Sequence, residues 1–460
     1  MKKQLTLWDA TMIVMGSMIG SGIFIVSSDM MRQLGSGYWM IAVWVITAIA
    51  TVAAAICYGE LSAMYPKAGG QYSYLTEIFG KMTGFLYGWS LFTVIQTGTI
   101  AAVAMAFGKF TAYIIPGLND APPIYQNGTF MITWIQIVAM GVILLLTFIN
   151  TKGIKSGKLV QTLFTVAKIL ALVVLIVGGL FLIKHNFFLD NMSFGWSSFQ
   201  NLTGEGWQGI SGATLMGGLA AAMVGAVFSS VAWENVTFIS GEIVDAKRNV
   251  VRSLVIGTSL VMLLYLMCNY IYLAALSRDE IAFATNDRVA VAAAEKLLGH
   301  TGTILMALLV MISTFGCVNG IVLSGARVFQ TMAKDGLFLK QAIPNNKHDV
   351  PERSLWLQGI WASLLCLSGQ YGNLLDMVSF VIVIFYMVTV FGVIYQRFKR
   401  PDIERSYKTF LYPITPFIYL VIGTLFCVLL IVYKPQYTWP GFILILLGLP
   451  VYGLVNKKKV

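Results

Sequence analysis

Apolar stretches long enough to cross a lipid bilayer occupy most of this 460-residue sequence. A membrane helix needs about 20 mostly apolar residues, because each residue adds about 1.5 Å along the helix axis. Twelve stretches satisfy this requirement, at approximately 7–31, 39–64, 82–115, 129–150, 159–183, 212–240, 250–276, 301–333, 354–371, 374–396, 410–433 and 437–455. They predict an all-α integral membrane protein with twelve transmembrane helices.

The composition indicates a chain whose main solvent is lipid. Hydrophobic residues make up 57% and charged residues only 11%, whereas soluble domains carry about 25% charged residues. This balance excludes a soluble enzyme and a disordered protein. The longest connections, near 184–211 and 277–300, are too short for a separate folded domain. Residues 1–460 are therefore predicted to form one transmembrane domain.

The residues that usually hold metals or carry out catalysis are dispersed. All five cysteines lie within apolar stretches, without a C-x-x-C pair or a Cys/His cluster, which favours small buried side chains over disulfides or a zinc site. The spans also lack the converging His, Cys and carboxylate groups of a membrane enzyme and the charged rings of a channel. The sequence predicts no enzymatic activity, no metal and no cofactor.

Positive charge sets the orientation of the predicted spans. If the N-terminus is cytoplasmic, 22 of the 31 Lys and Arg residues lie in cytoplasmic segments, six lie outside and three lie within spans. Such a bias is typical of the cytoplasmic side of membrane proteins. It predicts that both termini are cytoplasmic, and it explains the net charge of +11 without a nucleic acid partner.

The first span contains residues that weaken a helix near the middle of the bilayer. Residues 16–24 read GSMIGSGIF, and each glycine costs about 1 kcal/mol of helix propensity relative to alanine. Serine offers the backbone alternative hydrogen bonds. A break in the helix is one interpretation, and a close-packing face formed by Gly16 and Gly20 is the other.

The sixth span supports the broken-helix interpretation. It carries Gly217, Gly218 and Gly225, followed by residues 228–235, which read FSSVAWEN. Paired interruptions in corresponding spans point to a transporter binding site between inverted repeats, here about 7–183 and 212–396, with accessory helices over 410–455. Free N–H groups at a half-helix N-terminus suit a carboxylate, and freed carbonyls suit an ammonium. A ligand that carries both groups is an amino acid.

These motifs resemble those of the amino acid–polyamine–organocation superfamily, and most of all the L-type amino acid transporter light chains and their bacterial relatives. The similarity also covers residues 57–61 (CYGEL), 66–72 (PKAGGQY), 315–320 (FGCVNG) and 399–405 (KRPDIER). The family implies a leucine-transporter-like fold of five plus five inverted helices, with helices 1 and 6 broken. It also implies an amino acid permease at the plasma membrane.

The resemblance implies a substrate site built mainly from backbone groups. The N–H groups around Ile19, Gly20, Ser21 and Gly22 would hold the substrate carboxylate. Carbonyls at the two breaks would take the amine, and a tyrosine of the seventh span would line the region. The implied substrate-binding set is Ser17, Met18, Ile19, Gly20, Ser21, Gly22, Phe228, Ser229, Val231 and Tyr265.

Lys168 is the most informative charge within a span. It lies ten residues beyond Lys158, about 15 Å deeper along the helix, which is too deep for an ordinary snorkelling lysine. The resemblance implies that it replaces the cation bound between spans 1, 5 and 8 in sodium-coupled relatives. A purely structural role is the alternative. The functional interpretation predicts sodium-independent transport that Lys168→Ala impairs.

Four further charged residues lie inside spans or near their cytoplasmic ends. Glu234 either lines the inner vestibule or is satisfied by neighbouring backbone N–H groups. Glu60, Glu242 and Arg327 either form an inner-gate ion pair or sit at solvated helix ends, and we expect the solvated ends.

Two transport mechanisms remain open from the sequence. One is sodium-independent exchange of neutral amino acids by alternating access, and the other is proton-coupled symport in which Lys168 or Glu234 titrates. Ser229 is compatible with a small polar substrate and Phe228 with a larger apolar one.

Residues 116–128 contain no cysteine, whereas the family's light chains carry in this loop the cysteine that binds a heavy chain. We therefore expect a monomer without a disulfide-linked heavy chain.

Overall fold

A computed structural model describes residues 4–128, 130–194, 199–200, 207–209, 211–367 and 371–457. Helices dominate the described part of the chain, and two short antiparallel hairpins lie in connections between them. The hairpins pair β1 (Tyr125–Asn127) with β2 (Phe130–Ile132), and β3 (Phe199–Gln200) with β4 (Trp207–Gln208).

The described residues form nineteen α-helical segments. The first ten are α1 (Leu7–Met18), α2 (Gly22–Leu34), α3 (Gly37–Met64), α4 (Gln71–Phe79), α5 (Lys81–Ser90), α6 (Gln96–Ile114), α7 (Gly117–Asp120), α8 (Trp134–Thr151), α9 (Ile154–Leu182) and α10 (Phe188–Ser193). The others are α11 (Ala213–Ser229), α12 (Asn235–Phe238), α13 (Ala246–Ala275), α14 (Arg278–Ala282), α15 (Val289–Lys334), α16 (Glu352–Leu365), α17 (Tyr371–Lys399), α18 (Ile414–Tyr433) and α19 (Pro435–Lys457). A π-helical turn over Leu91–Ile95 joins α5 to α6, and 3₁₀ turns occupy Ser240–Glu242, Thr285–Asp287 and Lys340–Ala342.

Ten segments within the described residues are long and apolar enough to cross a membrane. The two remaining sequence-predicted spans are shorter as helices. The sixth is interrupted, because α11 ends at Ser229, and the ninth is the 14-residue helix α16. The chain is therefore an all-helical, multi-pass membrane protein.

The interrupted helices lie inside the bundle. Helix α1 packs against α9 and α13, α2 packs against α11, and α15 packs against α6 and α9. The first span is buried throughout, whereas α18 and α19 carry many exposed apolar side chains. Irregular backbone is tolerated at membrane depth only where protein or a cavity surrounds it, so this arrangement places both breaks where they can survive.

The residues that precede α1 pair with the segment that follows α12. The N–H groups of Gln4 and Leu5 donate to the Glu242 carbonyl at 2.9 and 3.1 Å, and the Val244 N–H donates to the Leu5 carbonyl at 2.9 Å. Leu5 and Ile243 thereby form an isolated parallel bridge. This pairing joins the beginning of the first span to the end of the sixth.

Candidate functional site

The first span is broken where the sequence predicts it. Helix α1 ends at Met18, Ile19 leaves the helical conformation with φ −73° and ψ 86°, and α2 begins at Gly22. The glycines of this region lower the cost of leaving the helix. The first N–H groups of a helix have no intrahelical acceptors, so the start of α2 offers donors to a ligand at membrane depth.

The sixth span is broken at a corresponding place. Helix α11 ends at Ser229, and the chain becomes helical again only at Asn235. Ala232 adopts a φ of 70°, which a residue with a Cβ rarely takes up. The Ser229 and Ser230 hydroxyls donate to the carbonyls of Gly225 and Ala226, each at 2.7 Å. These bonds occupy carbonyls of the last helical turn.

The two breaks lie in direct contact. A Cβ added to Gly22 would lie 2.0 Å from Ser229 Oγ, and one added to Gly225 would lie 2.9 Å from Val26 Cβ. Gly20 approaches Cys317 in the same way, with its added Cβ 3.1 Å from the sulfur. Close packing of glycines and interruption of the helix, which the sequence presents as alternatives, therefore occur together.

Lys168 binds the freed carbonyls of the first break. Its Nζ donates to the carbonyls of Gly16 and Ile19, each at 2.7 Å, and the side chain is fully buried. The Ser313 hydroxyl on α15 lies 3.2 Å from the carbonyls of both Ile19 and Gly20. An ammonium and a hydroxyl thus occupy the kind of oxygen cluster that a hard monovalent cation would otherwise bind.

Two more side chains bind carbonyls of the break. The Tyr265 hydroxyl on α13 donates to the Met18 carbonyl at 2.9 Å, so the predicted tyrosine contacts the predicted segment. Cys317 Sγ on α15 lies 3.0 Å from the Ser17 carbonyl. The sequence analysis assigned Cys317 and Ser313 no role, although Cys317 belongs to one of the motifs that carry the family resemblance.

The Ile19 N–H, one of the predicted donors to the substrate carboxylate, already has an acceptor within the protein. The Ile19 N–H donates to the Met15 carbonyl at 2.9 Å and so completes the last turn of α1. Gly20 and Ser21 lie between this bond and α2, which begins at Gly22, and the Phe24 N–H donates to the Ser21 carbonyl at 3.1 Å. Phe228 and Val231 are buried at the second break.

Glu234 lies at the end of the second break and is buried. The Tyr386 hydroxyl on α17 donates to its Oε2 at 2.5 Å, and backbone groups of Ala232 and Glu234 also hydrogen-bond to the carboxyl group. The neighbouring Trp233 packs against Tyr386, with ring centroids 5.2 Å apart. Backbone satisfaction, one of the two interpretations of Glu234, is thus present together with a side-chain donor.

Glu60, Glu242 and Arg327 are buried, so the expectation of solvated helix ends was wrong. Arg327 Nε lies 2.9 Å from Glu242 Oε1, and both side chains are at most 5% exposed. Burial raises the pKa of Glu242, and the Arg327 guanidinium opposes that rise. This pair joins the segment after α12 to α15.

Glu60 has different partners from those considered in the sequence. Arg397 donates to both of its oxygens, at 3.0 and 2.7 Å, and the Thr409 N–H donates to Oε2 at 2.7 Å. Arg405 Nε lies 3.2 Å from Oε1. Glu60 therefore anchors the connection between α17 and α18 to the inner end of α3.

The described residues contain no group of three or more His, Cys, Asp or Glu side chains that could hold a metal ion. The five cysteines are buried and form no disulfides. What the site offers instead is a set of backbone groups exposed by two breaks, with one ammonium fixed beside them.

Comparisons with known proteins agree with this geometry. The Amino acid permease family profile matches residues 5–453. The chain is 30% identical to Asc-type amino acid transporter 1 of Homo sapiens over 455 residues, which cover 99% of this chain and 82% of the relative. It is 32% identical to Large neutral amino acids transporter small subunit 2 of Homo sapiens over 458 residues, which cover 99% and 80%.

A third relative, b(0,+)-type amino acid transporter 1 of Mus musculus, is 27% identical over 462 residues, covering 100% of this chain and 89% of the relative. The similarity extends across all of the spans rather than one motif. The relatives are transporters rather than enzymes. This chain belongs to the amino acid permease family of the amino acid–polyamine–organocation superfamily and is an amino acid transporter.

Proposed function

We propose that this protein exchanges neutral amino acids across the plasma membrane, independently of sodium and by alternating access. In this proposal the chain has twelve spans with both termini in the cytoplasm. Ten spans form two inverted five-helix repeats, over about 7–183 and 212–396, and the accessory helices over 410–455 complete the domain. Each break lies in the first helix of its repeat.

The contact of Lys168 with the first break is the observation that supports independence of sodium. Its ammonium lies 2.7 Å from each of two carbonyls that have lost their helical partners. A buried charge needs such partners, because leaving it unpaired in the membrane costs several kcal/mol. A covalently attached cation fills this place in every state of the cycle, so a dissolved sodium ion has no role there.

The zwitterionic group of the substrate is proposed to bind between the two breaks. Its carboxylate faces the N-terminus of α2, at Gly20, Ser21 and Gly22, where the positive end of the helix dipole favours an anion. Its ammonium faces the C-terminal end of α11, where the carbonyls of Phe228 and Ser229 lie close to the break. Met18 and Val231 complete the set of backbone acceptors.

Reconstituted liposomes test the proposal. Purified protein is placed in liposomes preloaded with an unlabelled neutral amino acid, and uptake of a labelled one is measured with sodium or with choline as the only added cation. We expect equal uptake in both salts and a strong dependence on internal amino acid. Lys168→Ala should lose most of this uptake, while Lys247→Ala, which removes an exposed lysine, should retain it.

Proton-coupled symport is the second candidate, and the same liposomes distinguish it. A symporter accumulates labelled amino acid in empty liposomes when the outside is made acidic, whereas an exchanger does not. Competition by each of the twenty amino acids against one labelled substrate then defines the side-chain preference. A loss of uptake when sodium is replaced would contradict the proposal.

We also propose that the chain works without a disulfide-linked heavy chain. All five cysteines are buried, and residues 116–128 contain none. Because a buried thiol cannot reach a partner chain, we expect the purified protein to migrate identically with and without reductant and to transport as a monomer. Measurement of the mass in detergent by light scattering tests the monomer.

A further inference from the structure

Glu234 differs from three other buried carboxylates, each of which has a basic partner. Glu60 binds Arg397, Glu242 binds Arg327 and Asp376 binds Lys434. Within the described residues, no ion pair involves Glu234, which is only 2% exposed. An ionised carboxylate in the membrane interior is costly without a cation beside it, so this residue needs another means of neutralisation.

The groups that face Glu234 are neutral: backbone groups of Ala232 and Glu234 itself, and phenols from four different spans. Tyr386 on α17 donates to Glu234 Oε2. Tyr58 on α3, Tyr87 of α5 and Tyr419 on α18 are within electrostatic range of the carboxyl group. The ring of Tyr58 lies 5.8 Å from that of Tyr386, measured between centroids. Lys168 contacts the other break rather than this cluster.

Several polar atoms near Glu234 have no hydrogen-bond partner among the described residues. These atoms are the Tyr87 hydroxyl and both polar atoms of the Asn235 side-chain amide, and the Thr47 hydroxyl on the wall of a neighbouring cavity also has none. Buried polar groups are almost always satisfied, so such a group of them indicates water that the protein atoms alone do not show. Asn235 directly follows Glu234 in the chain.

A cavity beside the cluster has room for that water. It lies between α3, α17, α18 and the second break, and Thr47, Ser230, Trp233 and Tyr386 contribute to its wall. The space open to the centres of water molecules is about 30 Å³, whereas one water needs roughly 10–15 Å³. Trp233, which precedes Glu234 in the chain, and Tyr386, which donates to its carboxyl group, both line this space, which also borders the second break at Val231.

We propose that Glu234 is a proton-binding site and that its carboxyl group carries the proton in the arrangement described here. A proton from water in the cavity binds a carboxylate oxygen and forms a neutral acid, which the phenols around it accommodate without a counter-ion. Loss of that proton returns the charge and strengthens the hydrogen bond that Tyr386 donates, so the contact between the second break and α17 differs between the two protonation states. Transport therefore depends on pH through Glu234.

Infrared spectroscopy of the reconstituted full chain tests the proton directly. At pH 7 exposed carboxyl groups are ionised, so a carboxylic acid C=O band at that pH reports a protonated buried group. We expect such a band in the parent, its loss in Glu234→Gln and its retention in Glu295→Gln, which changes an exposed glutamate. Tyr386→Phe should keep the band and shift its frequency, because the acid loses one hydrogen-bond partner.

Transport measurements test the consequence, and this part rests on the proposed function. Exchange by the parent should change with pH, and Glu234→Gln, which cannot ionise, should lose that dependence. A parent spectrum without the band at pH 7, or the same band in Glu234→Gln, overturns the proposal. If the parent does not exchange amino acids at any pH, the proposed function fails, and the spectroscopic result still decides whether Glu234 binds a proton.

Discussion

Replacement of Gly22 by alanine probes the contact between the two breaks. The added methyl group would lie 2.0 Å from Ser229 Oγ, 2.7 Å from its Cβ and 3.0 Å from its Cα. The hydroxyl can rotate away, but Cβ and Cα can move only with the backbone of α11. Overpacking of this kind costs about 1–3 kcal/mol, which exceeds the gain of about 1 kcal/mol that alanine brings to a helix.

The expected result depends on which arrangement of the protein the added methyl group destabilises. Because the clash falls on the contact between the two breaks, it raises the free energy of the arrangement described here, and exchange that passes through this arrangement should slow. A net cost of about 1.4 kcal/mol lowers the rate about tenfold. The measurements are exchange in liposomes and thermal unfolding in detergent, and both should decline in Gly22→Ala.

Two further variants make this experiment decisive. Gly141→Ala places the same methyl group on α8, where nothing lies within 4 Å, and should leave both measurements at the parent level. Adding Ser229→Gly to Gly22→Ala removes the nearest two atoms and should restore part of the lost rate. If Gly22→Ala behaves like Gly141→Ala, the close contact between the breaks does not exist in the working protein.

Three other predictions concern the ion pairs of Glu242 and Glu60 and one hydrogen bond of the first break. Glu242→Gln leaves Arg327 buried without a counter-ion, and we expect a loss of about 3–5 kcal/mol in stability, measured by thermal unfolding; a loss equal to that of an exposed substitution would argue against the pair. Tyr265→Phe removes the donor to the Met18 carbonyl at an expected cost of about 1–3 kcal/mol, so exchange should slow, and unchanged kinetics would contradict the contact. Glu60→Gln should release the connection between α17 and α18, which faster limited proteolysis over 400–412 would reveal and an unchanged digest would refute.

Local features of the sequence were sufficient to locate the breaks. Glycines in residues 16–24 and the polar residues after Phe228 are short-range signals, and the structure interrupts both helices there. The depth of Lys168 within an apolar stretch likewise follows from counting residues along a helix. These predictions succeeded because helix propensity and the apolar character of a span depend on residues that are close together in the sequence.

Long-range contacts explain what the sequence did not reveal. Ser313 and Cys317 reach the first break across about 300 positions of chain, and no local pattern identifies a serine or a cysteine that will bind a distant carbonyl. Glu60 has its partners more than 330 residues away. Without the packing of the helices, a charge near a span end is indistinguishable from one that faces water.

The short backbone pairing between Leu5 and Ile243 has a mechanical consequence. It fastens the leading end of α1 to the trailing end of the sixth span, so a displacement of either segment pulls the other with it. Any displacement of these two ends is then concerted, instead of two independent events. A cross-link that locks one of them should immobilise both.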